Sequence, residues 1–170
     1  MARLLFAHDG NGGEGGGIYN REGTVTITGG VIRLNDARKR GGGIYLDNDT
    51  DARLYLSGGS VTGNYAVTEG GGIQVSNKAS IYLSGSPVVK NNNLEKEGFV
   101  YISNNLNLSG SNMINVDGAL TAGAEIYVTR DGGDGTGVIT DGYSSTNTEP
   151  PKNTSGRIMS STEQHFTTVR

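Results

Sequence analysis

The chain of 170 residues has no cysteine, so disulfide frameworks and thiolate metal sites are excluded. It has no tryptophan and only three prolines. No apolar run approaches the roughly 18 residues that a membrane-spanning helix needs, so no membrane span is expected. The start, "MARLLFAHDG", offers only Leu4 to Ala7 as an apolar patch. That falls short of the 7–15-residue apolar core of a secretory signal, and no signal peptide or anchor is expected. Charge is balanced, with 17 acidic against 14 basic residues. Neither a basic footprint for nucleic acid nor an acidic tail follows, so no nucleic-acid partner is expected.

Glycine is abundant, with 29 residues, where average usage is about 7%. The glycines are not scattered. Triplets at 15–17, 41–43 and 70–72 each precede an apolar-alternating stretch: "GGGIYN", "GGGIYL", "GGGIQV". Aligned on the residue after the glycines, Ile18, Ile44, Ile73, Val100 and Ile126 recur at spacings of 26, 29, 27 and 26. Leu46, Val75, Ile102 and Val128 follow two positions later. This alternation puts Ile and Val on one face of a strand and Tyr19, Tyr45, Tyr101 and Tyr127 on the other.

A second alternating segment follows in each unit, with Val25/Ile27, Leu54/Leu56, Ile81/Leu83 and Leu106/Leu108 inward and Tyr55 and Tyr82 outward. A third element reads apolar-x-x-Asn/Asp and ends at Asp9, Asn35, Asn64, Asn91 and Asp117, each nine positions before its aligned Ile or Val. Short strands separated by Gly, Asn and Ser turns at a period near 27 residues are a solenoid pattern. The expectation is all-β: a parallel β-helix of about five coils of 25–29 residues, with three short strands per coil, over residues 1–143. The glycine columns mark a tight corner that stacked coils share. The Asn/Asp column reads as a structural ladder whose amides bond turn backbone and each other.

"GGGI" with its upstream apolar-x-x-Asn resembles the repeats of polymorphic outer-membrane adhesins. "SGGSVTGNYAVTEGGGIQVSNKASIYLSG" is similar to β-helix repeats in large surface proteins of Gram-positive bacteria. The resemblance covers roughly residues 6–143 and implies a right-handed parallel β-helix. It also implies a cell-surface or extracellular location within a longer adhesin-like protein, with glycans or surface proteins as partners. Phe occupies the Phe-x-x-Asn slot only at Phe6, and Asp replaces Asn in two slots.

Outward tyrosines spaced along a solenoid can stack on sugar rings, so Tyr19, Tyr45, Tyr101, Tyr127, Tyr55 and Tyr82 are the glycan-contact candidates. Asp47, Asp49 and Asp51 alternate as the first ligands of a calcium loop do. Such a loop needs Gly at its sixth position and Glu at its twelfth. This chain has Ala52 and Gly58 there, so the stretch reads as a solvated loop, and no metal or cofactor is expected. "DGGDGTG" at 131–137 reads as a turn, and the single "TVTIT" is too little for a flat ice-binding array.

Pectate-lyase-like enzymes share the fold and are the rival class, but fold does not decide function. Their chemistry needs carboxyl groups facing one another within about 5–9.5 Å, or calcium with a base. Glu14, Glu22, Glu69, Glu95, Glu97 and Glu125 scatter over turns, and His8 and His165 lie near the chain ends. No catalytic residue is therefore assigned. After Tyr143 the composition becomes Ser, Thr and Pro-containing, and 144–170 reads as a tail in which 156–160 could add a strand over the last coil. Open strand edges at both ends of such a rod otherwise predict end-to-end self-association.

Overall fold

The computed structural model describes residues 13–47, 51–97, 99–131, 140–141 and 155–159. They form a parallel β-solenoid. The expectations placed on Phe6, His8, Asp9, Asp49, the 132–137 turn and His165 lie outside the described residues.

The first coil contains β1 (Ile18–Asn20), β2 (Gly23–Ile27), β3 (Val31–Arg33) and β4 (Asp36–Ala37). The second repeats it with β5 (Ile44–Leu46), β6 (Ala52–Leu56), β7 (Ser60–Thr62) and β8 (Tyr65–Ala66). The third has β9 (Ile73–Val75), β10 (Ser80–Gly85), β11 (Val88–Lys90) and β12 (Asn93–Lys96). Each strand pairs in parallel with its counterpart in the next coil. There are thus about three regular turns rather than five, and four strands per turn rather than three. The fourth strand escapes a pattern search because "DA" and "YA" are two residues long, too short to show alternation.

The core is built of rows running along the solenoid. Ile18, Ile44, Ile73 and Leu106 form one row. Val25, Leu54, Ile81 and Ile114 form a second, and Ile32, Val61, Val89 and Ile126 a third. From the second coil onward these residues are fully buried, and apolar burial of this kind is the main stabilising term in folding. A smaller cluster of Ala37, Ala66 and Leu94 lies under the fourth strands.

The fourth unit departs from the expected register. Val100 does not follow Ile73. It lies in β13 (Val100–Ser103), which turns back antiparallel on β12, with Leu94 opposite Ile102. The chain re-enters the solenoid at β14 (Leu106–Ser109), which takes the row of Ile73. Then β15 (Ile114–Leu120) continues the second row. Strand β16 (Glu125–Asp131) starts beside β11, with Ile126 on Val89, and runs on beside β14, with Val128 on Leu106. Leu106 and Leu108 thus belong to the first row, not the second, and Ile126 to the third, not the first. An apolar-alternating segment fits any row equally well, so one hairpin shifts every later assignment by a strand.

Strand β17 (Thr140–Asp141) pairs in parallel with β15. Strand β18 (Ser155–Met159), within the Pro-containing tail, pairs antiparallel along β16 from Glu125 to Thr129. The tail therefore supplies a strand that covers the edge of β16.

Candidate functional site

The three candidate groups have different fates. The glycine corners are consumed by stacking. Gly15, Gly41 and Gly70 have φ of 67°, 67° and 60°, a region costly for residues with a Cβ. Their neighbours Gly42 and Gly71 lie against the next coil. A Cβ on Gly42 would sit 2.1 Å from the Tyr65 carbonyl oxygen and 2.3 Å from that of Gly71. Backbone bonds cross the corner from coil to coil, from Gly42 N–H to the Gly70 carbonyl at 3.0 Å and from Gly43 N–H to the Gly72 carbonyl at 2.9 Å.

The ladder consists of Asn35, Asn64, Asn92 and Asn105. The Asn64 Oδ1 accepts from the backbone N–H and Nδ2 of Asn35, at 3.1 and 2.9 Å. The Asn92 Oδ1 accepts from the same two groups of Asn64, at 3.0 and 2.9 Å. The Asn105 Oδ1 does so for Asn92, at 2.8 and 3.2 Å. Nδ2 groups also donate to corner carbonyls, from Asn64 to Ile32 and from Asn92 to Val61 and Lys90. Every ladder residue is buried, and buried amides are stable only when bonded in this way.

This corrects the expected column at two places. Asn91 is exposed and precedes the ladder residue. With φ of 56° it matches Leu34 and Gly63, the left-handed corner residues before Asn35 and Asn64. "VVKNN" satisfies apolar-x-x-Asn in two registers, and the pairing of Val89 with Val61 selects Asn92. Asp117 is exposed within β15, and its expected rung is filled by Asn105. The doublet Asn104–Asn105 replaces a glycine corner: Asn104 Oδ1 accepts the Gly70 N–H at 2.9 Å while Asn105 continues the ladder.

The tyrosines do not form one exposed column. Tyr45 points away from the core yet is only 1% exposed. Arg40, from the corner before the strand, lies 5.0 Å from its ring centroid. The carboxylate of Glu14 accepts from Arg40, and Tyr19 packs beside Tyr45 with centroids 5.6 Å apart. Tyr19 donates its hydroxyl to Asp47. Tyr101 is on the antiparallel β13 and meets Tyr65 edge-on at 5.7 Å. Tyr127 donates to Glu125 at 3.0 Å. The pair that stacks is Tyr55 with Tyr82, at 4.4 Å and 7° between planes. In register with them lie Thr26 on one side and Asn115 on the other. The amide of Asn115 donates to the Ile81 carbonyl at 3.1 Å, so it is tied to the backbone.

Burial pushes the Tyr45 phenol above its ordinary value, with the nearby Arg40 cation opposing the shift. The fold then holds a proton that the unfolded chain releases near pH 10. Stability should therefore fall as pH rises above about 10, because the native state binds more protons than the unfolded one. Melting temperatures between pH 8 and 11 should decline less steeply in Tyr45→Phe than in wild type. Equal slopes would show that Tyr45 is not the group responsible.

Asp47 and Asp51 engage neighbouring side chains. Asp47 faces Tyr19, and Asp51 pairs with Arg53. Among the described residues, no three His, Asp or Glu side chains come together in a way that could hold a metal. Sequence reasoning read Glu14 only as a scattered acid and did not foresee that Arg40, Glu14, Gln74 and Asn107 cover the outer side of the first strands. Gln74 donates to Ser109 at 2.7 Å and accepts from Asn107 at 2.9 Å. Their occurrence at the tyrosine position of successive strands is the signal that could have marked a covered outer face.

No protein family, curated protein or solved structure matches the chain. The class that the structure defines is the parallel β-solenoid.

Proposed function

We propose that this chain is a structural, adhesive solenoid module of a larger bacterial surface protein, without enzymatic activity, that contacts glycans through Tyr55 and Tyr82. The observation that carries the reading is the stacked tyrosine pair on the outer side of the second strands, half-buried and flanked by the exposed Thr26. The asparagines and glycines that recur in the sequence act on neighbouring coils. Tyr55 and Tyr82 are recurring aromatic residues that keep an open side.

The stack also limits how a sugar would bind. Each ring spends one face on the other, so Tyr55 offers its remaining face over the short Thr26 side chain. Asn115 flanks the other end. A sugar ring laid on Tyr55 would gain apolar contact below and a hydrogen bond from the Thr26 hydroxyl at its rim.

An array of purified glycans tests this directly. The wild type should retain a subset of them, and Tyr55→Ala should weaken that binding by at least about tenfold, a change of about 1.4 kcal/mol. Retention of no glycan, or equal retention by Tyr55→Ala, would remove the glycan role. Cleavage of a polysaccharide in a parallel lyase and hydrolase assay would favour the enzyme class instead.

A further inference from the structure

The excursion that breaks the repeat has a surface of its own. Strand β13 ends the four-stranded sheet β4-β8-β12-β13. Among the described residues no strand lies on its other edge. All four of its residues are exposed, Tyr101 by 52% and Ile102 by 49%, and Phe99 at the hairpin tip by 81%. An open edge carries unpaired backbone N–H and C=O groups, and its natural complement is another strand.

Two observations say which strand. The row Ala37, Ala66, Leu94, Ile102 runs across this sheet on its core-facing side, and it ends with Ile102 half-open. One more strand with an aliphatic residue in that row would complete it. Charge supplies the second argument. Any charged group near a twofold axis meets its own copy and is repelled. Between Glu97 and Asp117 the sequence contains no charged residue. Edge strands are ordinarily protected by lysine, proline or inward charge, and "FVYIS" has none of these.

We infer that β13 is a self-recognition edge, pairing antiparallel with β13 of a second copy about a twofold axis. Centred on Tyr101, that pairing sets Val100 of each copy opposite Ile102 of the other and extends the aliphatic row across the axis. Tyr101 is braced against Tyr65, and the ammonium of Lys96 on β12 donates to the Val67 carbonyl at 2.8 Å. The hairpin is thereby anchored to the solenoid before any partner arrives.

The geometry separates this association from end-to-end stacking. Edge pairing about a twofold closes at two copies, whereas end-to-end contact is open and grows with concentration. Sedimentation equilibrium of the full chain should show a monomer–dimer equilibrium and no larger species. Ile102→Lys should shift the midpoint to at least about tenfold higher concentration, since two lysines would then lie beside the axis. Because Ile102 is half-exposed, the variant should keep the wild-type circular dichroism spectrum. Hydrogen exchange offers a readout without mutation: amides of 100–103 should gain protection as wild-type concentration rises. A monomer at all concentrations, a dimer indifferent to Ile102→Lys, open-ended polymer, or 100–103 amides insensitive to concentration would each overturn the proposal.

Discussion

Gly42→Ala is expected to destabilise the fold severely, although it adds a single methyl group. The added carbon would lie 2.1 Å from the Tyr65 carbonyl oxygen and 2.3 Å from that of Gly71. Both are backbone atoms of the neighbouring coil, so no side chain can swing aside. The coil must separate locally, which breaks the bond from Gly42 to the Gly70 carbonyl and opens the corner between two buried rows. A loss above about 3 kcal/mol is expected, a large share of the about 5–15 kcal/mol that holds a typical domain folded. The contrast is Gly29→Ala. No atom lies within 4 Å of a Cβ at Gly29, and its φ is not in the left-handed region. Reduced freedom of the unfolded chain should there leave stability unchanged or raised by about 0.4–1 kcal/mol. Thermal melts of the two variants against wild type check both halves. Equal melting temperatures for Gly42→Ala and Gly29→Ala would mean that the corner yields more easily than the distances indicate.

The second large effect is expected from Asn64→Leu. Leucine has similar bulk but removes the Oδ1 to which Asn35 donates twice, and the Nδ2 that donates to Asn92 and to the Ile32 carbonyl. Each buried group deprived of its partner costs about 1–3 kcal/mol, so the variant should lose about 3 kcal/mol or more. For a chain of this size that lowers the melting temperature by about 10 °C. Asn91→Gly tests the register of the same ladder. Asn91 is exposed at a φ of 56°, where the preceding coil has Gly63, and the change should cost less than about 1 kcal/mol. A marked loss for Asn91→Gly with none for Asn92→Leu would reverse the register of the ladder.

Both variants depend on how repetition is read. The parallel solenoid was legible because its physical requirements recur once per coil. The rod needs a row of aliphatic side chains inside, and Ile18, Ile44 and Ile73 meet that at a near-constant spacing. It needs a corner tight enough for coils to stack, and the glycine triplets supply it. It needs bonded amides where the chain turns inside the core, and Asn35 and Asn64 provide them. Each requirement depends on residue type and spacing alone, and those are what a sequence displays.

What repetition does not specify is which row a segment joins, and only pairing in three dimensions decided that. "FVYIS" alternates as well as any strand of the core, yet β13 turns back on β12 and leaves Leu106 to follow Ile73. The choice between Asn91 and Asn92 likewise waited for Val89 to lie on Val61. Exposure was the other unknown. Alternation correctly turns Tyr45 away from the core, but it cannot tell that Arg40 folds over the ring and covers it. A strand's period of two assigns side chains to faces through local geometry. Whether a face meets water, another strand or a neighbouring loop depends on contacts between residues far apart in the chain. Those contacts leave Tyr55 and Tyr82 stacked on an open face and β13 with an open edge.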